Sequence, residues 1–125
     1  MTTRLDIARS NTILYCARWA DTVSFYSDTL GLAVTLANDW FAEVHVAGTA
    51  HLSLADAARA TIPAGHGIGI TLSWQVSDLD AAHATLTELG IAVSDPAERW
   101  NSTYVEFRDP EGTRIELWSP THAPT

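Results

Sequence analysis

A β-α-β-β-β order of segments can be read twice in succession along this chain, and that repetition limits its fold more than any other feature. The first helix is expected to begin near Asp21, an N-capping residue type, and carries Val23, Tyr26 and Leu30 at helical spacing before Gly31. The second is expected to begin near Ser77 or Asp78, carries Leu79, Ala82, Leu86 and Leu89, and stops at Gly90. A glycine just past a helix end supplies the left-handed backbone that closes the last turn. Leu89-Gly90 follows Leu30-Gly31 at an offset of 59 residues (89 − 30), and Asp80 follows Asp21 at the same offset.

Strand-like stretches precede the helices at 11–17 and 70–76. Others follow them at 32–37, 40–46 and 50–54 in the first half, and at 91–94, 102–107 and 113–118 in the second. The expectation is one domain over residues 1–125, with module one at about 9–56, a linker at about 57–67 and module two at about 68–119. The linker holds Pro63, Gly65 and Gly67, and the tail from Ser119 to Thr125 is expected to fray. Asp109-Pro110-Glu111-Gly112 suits a type I turn between two strands.

Composition excludes several classes of function. Apolar residues make up 46% and charged residues 18%, a globular balance. No apolar run approaches the ~20 residues that span a bilayer, and the first residues lack the apolar core of a secretory signal. A cytoplasmic location is therefore expected. The formal net charge is −8, and the seven basic residues are all arginine. That argues against nucleic-acid and membrane-surface partners, which require a basic face. It would draw cationic ligands through the overall field, although it equally serves solubility. Cys16 is the one cysteine, so an internal disulfide is impossible, and its apolar neighbours suggest a small buried side chain.

Strand alternation divides the side chains into two faces. Thr12, Leu14, Cys16, Ala42, Val44, Val46, Leu52, Leu54, Leu72, Trp74, Val76, Val105, Phe107, Ile115 and Leu117 are assigned to the face that the helices cover. The opposite face mixes Asn11, Ile13, Tyr15, Phe41, Glu43, His45, His51, Ser53, Thr71, Ser73, Gln75, Tyr104, Glu106, Arg114, Glu116 and Trp118. Aromatics beside carboxylates and hydroxyls suit a ligand-binding wall. A dimer interface uses similar residues.

On Asp21 with Phe25-Tyr26 and Leu30-Gly31, on Val76-Ser77-Asp78 with Leu89-Gly90, and on the run from Tyr104 through Asp109-Pro110-Glu111-Gly112 to Leu117, the chain resembles the vicinal-oxygen-chelate superfamily. That superfamily includes glyoxalase I, extradiol dioxygenases, methylmalonyl-CoA epimerase, and the fosfomycin and bleomycin resistance proteins. The resemblance spans about residues 11–119. It implies an α+β fold, two β-α-β-β-β modules whose curled mixed sheets enclose a central cavity, and a homodimer. Metal-dependent members take ligands from the opening and last strands of each half, as His, Gln or Glu. Carried over, those positions fall on Asn11, Ser53, Thr71 (Ile70 or Leu72 under a one-residue slip) and Glu116. Glu116 alone keeps a ligand-type residue, and this set lacks imidazole and thiolate donors.

Two functional readings follow. The first is a metal-free binder of a small aromatic or cationic compound, similar to bleomycin resistance proteins, with ligand contacts from Asn11, Tyr15, Phe41, Glu43, His45, Ser53, Thr71, Ser73, Trp100, Tyr104, Glu106, Glu116 and Trp118. Trp100 is expected in a loop, 98–101, overhanging the cavity. The alternative is a glyoxalase-, epimerase- or dioxygenase-like metalloenzyme with a divalent metal on displaced ligands, His45, His51 and Glu116. A metal-free acid–base enzyme using Glu43, Glu106 or Glu116 with His45 is a further possibility, as is a purely structural dimer module. His66, His83 and His122 have no ligand-like partner nearby in sequence, and the chain lacks a phosphate loop and a nucleophile elbow.

Overall fold

Each half of the chain folds its strands into a four-stranded mixed sheet in which one central strand accepts a parallel neighbour on one side and an antiparallel neighbour on the other. The structure, a computed structural model, describes residues 4–121, so His122 and the last of the tail lie outside the described residues. The chain divides into two compact units, Met1–His66 and Gly67–Thr125.

In the first unit β1 (Ser10–Cys16) leads into α1 (Trp19–Ser24), followed by β2 (Val34–Ala37), β3 (Phe41–Ala47) and β4 (Ala50–Asp56). The sheet order is β1-β4-β3-β2, with β1 parallel to β4 and the other pairs antiparallel. Helix α1 starts before Asp21: Arg18 occupies the cap position, and Asp21 sits in the first turn, accepting a hydrogen bond from Arg18 Nη2 at 2.8 Å. A carboxylate in the first turn still opposes the positive end of the helix dipole. The helix continues as a π-helical turn, Phe25–Thr29, closed by the Leu30 N–H donating to Phe25 O at 2.9 Å. Gly31, at φ 77°, then takes the left-handed conformation that ends it. The Trp19 indole N–H donates to Leu54 O at 2.7 Å, which ties the helix to β4.

The second unit repeats the plan with β5 (Thr71–Gln75), α2 (Leu79–Glu88), β6 (Ala97–Arg99), β7 (Ser102–Arg108) and β8 (Arg114–Pro120), in the order β5-β8-β7-β6. Asp78 caps α2, its carboxylate accepting from the Ala81 N–H at 3.0 Å, and Gly90 follows at φ 78°. The strand expected at 91–94 is absent, and β6 forms later. Only Ser94 of that stretch bonds to β7, its N–H donating to Glu106 O and its hydroxyl accepting from the Glu106 N–H. Pro96 has no N–H to offer a ladder, which moves the pairing beyond it. Ser119 and Pro120 belong to β8, and Thr121 N–H donates to Asn101 O at 2.8 Å, so this part of the expected frayed tail is ordered. In the turn joining β7 to β8, Asp109 O accepts from the Gly112 N–H, while its carboxylate accepts from the N–H groups of Glu111 and Thr113.

The helix-covered faces form the cores. Cys16, Val44, Leu52 and Leu54 are buried with Thr22 and Tyr26 in the first unit. Val105, Phe107, Ile115 and Leu117 are buried with Leu79 and Leu86 in the second. Each fully buried large apolar side chain contributes roughly 1.5–3 kcal/mol. Thr12 departs from its assignment and is exposed, lying in the early part of the edge strand β1, where burial begins only at Leu14; Val46, Trp74 and Val76 are half-buried.

Candidate functional site

The strand registers place the candidate residues in rows across each sheet. In the first unit the rows are Asn11, His51 and His45, then Ile13, Ser53 and Glu43, then Tyr15, Ala55 and Phe41. In the second they are Thr71, Arg114 and Arg108, then Ser73, Glu116 and Glu106, then Gln75, Trp118 and Tyr104. Ser53 and Glu116 therefore hold the same place in their two sheets, each opposite a glutamate of the antiparallel neighbour.

The middle of the first sheet is a closed set of polar contacts. Ser53 is fully buried, and its hydroxyl donates to Asn11 Oδ1 at 2.8 Å. The Glu43 carboxylate accepts from the Thr35 hydroxyl at 2.8 Å and lies 3.0 Å from Arg9 Nη2. The Thr35 hydrogen bond, with smaller help from Arg9 and His51, holds the Glu43 carboxyl below its ordinary value even though burial opposes the shift. His45 and His51 meet edge-on with ring centroids 5.4 Å apart. One ring nitrogen of each lies within hydrogen-bond distance of a turn carbonyl: His45 Nε2 at 2.9 Å from Gly48 O, His51 Nδ1 at 3.3 Å from Thr49 O.

The last row opens into a cleft of about 360 Å³ lined by Ile13, Tyr15, Trp40, Phe41, Ala55, Arg59, Ala60 and Thr61. Tyr15 and Phe41 arrive by strand alternation. Trp40 is placed by the turn before β3, where Asn38 Oδ1 accepts from the N–H groups of Trp40 and Phe41, both at 2.9 Å. Its ring meets Phe41 edge-on at 5.7 Å. Arg59 is placed by a 3-10 turn, Ala57–Arg59, that Asp56 caps through the Ala58 N–H. The start of the expected linker thus folds into the cleft wall. Sequence reading missed Trp40 and Arg59. A strand at 40–46 sets Trp40 by alternation with Ala42 and Val44, whereas β3 starts at Phe41 and Trp40 belongs to the turn. Arg59 lies beyond the end of β4. The Asx-turn signal at Asn38 and the cap at Asp56 are the local clues.

The second sheet carries an ion-pair network. Glu116 is 4% exposed. Its Oε1 is paired with Arg99, and its Oε2 lies 3.5 Å from Arg114 Nη1. Arg114 also pairs with Glu106 and lies 3.5 Å from the Thr71 hydroxyl. The Arg99 guanidinium stacks over the Tyr104 ring, 4.5 Å from its centroid. The stretch expected as an overhanging loop is instead the end of β6 and a tight turn. Trp100, at its tip with φ 52°, is 93% exposed. Thr71 and Ser73 are exposed, and Trp118 is half-buried.

These donors do not fit a divalent metal. Asn11 and Ser53 are bonded to each other, and both oxygens of Glu116 face guanidinium groups whose charge repels a second cation. Among the described residues, no group of three or more His, Cys, Asp or Glu side chains is placed to hold one. No helix among them is long and apolar enough to cross a membrane.

A family model described as the Glyoxalase/Bleomycin resistance protein/Dioxygenase superfamily matches residues 9–117. No curated protein matches. Among solved structures, a glyoxalase/bleomycin resistance protein/dioxygenase from Nocardioides is 22% identical, covering 99% of this chain and 89% of its own, with a TM-score of 0.76. A lactoylglutathione lyase from Agrobacterium tumefaciens is 26% identical over 92% of this chain and 95% of its own, with a TM-score of 0.72. An antibiotic binding protein from a Streptomyces species is 24% identical over 94% and 99%, with a TM-score of 0.77.

Proposed function

Because the chain belongs to the Glyoxalase/Bleomycin resistance protein/Dioxygenase superfamily, we propose that it is a metal-free binding protein for a small planar aromatic compound, of the drug-sequestering kind. The observation that carries this reading is the cleft on the first sheet. Its volume of about 360 Å³ falls in the range of small-molecule sites, and Tyr15, Trp40 and Phe41 give it aromatic walls. A cationic ligand draws less support, since Glu43, Glu106 and Glu116 are not among the residues lining the cleft. The homodimer and the cytoplasmic location remain part of this proposal.

The fold does not choose the activity, since similar folds carry the names of a lyase and of an antibiotic binding protein. The alternative, a metalloenzyme on His45, His51 and Glu116, draws its support from the two neighbouring imidazoles. It is opposed by the arginines on Glu116.

The test takes tag-free protein and adds nickel, zinc, iron(II) or manganese in one series and planar aromatic compounds in another. Thermal upshifts with aromatic compounds that vanish in Trp40→Ala and Tyr15→Ala support the proposal, since a ligand of the folded state raises its stability. Stoichiometric metal uptake that is lost in His45→Ala or Glu116→Ala overturns it in favour of the metalloenzyme.

A further inference from the structure

The cleft has one feature that its aromatic walls do not explain. Of the residues lining it, Arg59 alone carries a formal charge. Arg59 closes the 3-10 turn directly after β4, so its backbone is fixed by the same strand that contributes Ala55 to the wall. Its Nη1 pairs with Asp39 Oδ2 at 3.0 Å, and Asp39 is not among the lining residues. Both side chains are more than half exposed, 53% and 78%. An ion pair so open to water is weak and exchanges readily. A guanidinium carries five N–H donors in a planar fork, so one contact to Asp39 leaves others for a second acceptor.

We infer that Arg59 makes this cleft selective for aromatic compounds bearing an anionic group, a carboxylate or phenolate, over neutral and cationic ones; the inference rests on the reading that the cleft takes an aromatic ligand. The net charge of −8 favours the approach of cations from a distance. The one charged residue that lines the cleft is positive, its partner Asp39 does not line it, and the lining group sets the preference because salt screens the distant field within ~8–10 Å.

Three compounds with one ring system and different charge separate the possibilities: naphthoate, naphthalenemethanol and naphthylmethylammonium. Binding is read by calorimetry at low and moderate salt. Naphthoate is expected to bind about twofold to fivefold more tightly than the alcohol, the scale of an exposed ion pair, and the ammonium compound more weakly than either. Arg59→Gln is expected to abolish the naphthoate advantage, and Asp39→Asn, which frees the guanidinium, to enlarge it. Equal affinities for the three compounds, or an unchanged preference in Arg59→Gln, overturn the charge selection and leave the aromatic reading standing. Binding that survives Trp40→Ala, or failure of all three compounds to bind, overturns the aromatic reading and this inference with it.

Discussion

Arg99 on β6 reaches past β7 to pair with the buried carboxylate of Glu116 on β8, tying together two strands that share no backbone hydrogen bonds. Tyr104 lies beneath the guanidinium on the way. Removing one partner of a buried pair leaves the other desolvated without compensation, at about 3–5 kcal/mol in fully buried cases. Here the Arg99 side chain is 40% exposed and Arg114 remains beside Glu116. Arg99→Met is therefore expected to lower stability by about 1–2 kcal/mol in urea unfolding. A midpoint equal to that of the wild type would show that the pair contributes nothing.

Glu43 gives a pH dependence of known sign. Its folded-state carboxyl lies below the ordinary 4.5, chiefly because Thr35 donates to it. The folded state thus binds this proton less well than the unfolded chain does. The stabilisation is fully present above the ordinary value and is lost as pH falls through the lowered one. In Thr35→Val the Glu43 titration, followed by carboxyl-carbon NMR, is expected to move upward. An unmoved titration would assign the effect to Arg9.

Gly67 and Gly69 form an internal comparison. Both have positive φ, 74° and 79°. A Cβ on Gly67 would lie 2.5 Å from Thr113 N and 2.6 Å from Gly112 C, while one on Gly69 meets nothing within 4 Å. Gly69→Ala is expected to cost only the backbone strain, about 1–2 kcal/mol. Gly67→Ala adds a clash with backbone atoms and should cost about 3 kcal/mol or more, at the high end for single substitutions. Equal melting temperatures for the two variants would contradict the close approach.

Trp19→Phe keeps the aromatic bulk of α1 but removes the N–H that donates to Leu54 O. A loss of about 1 kcal/mol is expected, with faster amide exchange in α1 before β4 is affected. Exchange rates in α1 that match the wild type would exclude the indole as its anchor.

Much of this fold is legible in local chemistry. Asp78, Gly31 and Gly90 mark helix ends because a cap and a left-handed residue act on their immediate neighbours. The start of α1 at Trp19 and its π-helical end are not legible, since the Trp19 indole bond to Leu54 crosses to a strand 35 residues away. β6 was displaced for a related reason: an edge strand is defined by its partner, and Ala97–Arg99 has little alternation of its own. The candidate site follows the same division. Alternation places Tyr15, Phe41, Glu43 and Glu116 on one face of their strands. It gives no hint that Arg99 and Arg114 converge on Glu116, because that depends on register across three strands.

The shared place of Ser53 and Glu116 in the two sheets has an evolutionary consequence. Ser53 itself is neutral and its side chain bonds to Asn11, so a substitution there perturbs that one hydrogen bond while the Glu43–Arg9 pair in the same row stands apart from it. At Glu116 the row is a charge lock in which each member makes the others hard to replace. Losing Arg99 first leaves the buried Glu116 with only the longer contact to Arg114, and losing Glu116 first leaves Arg99 without its carboxylate while Arg114 keeps Glu106. Single-step paths away from this arrangement pass through a less stable protein, so the second sheet is entrenched while the first remains free to drift. New ligand specificities in descendants of this chain should accordingly be sought around Tyr15, Trp40 and Arg59.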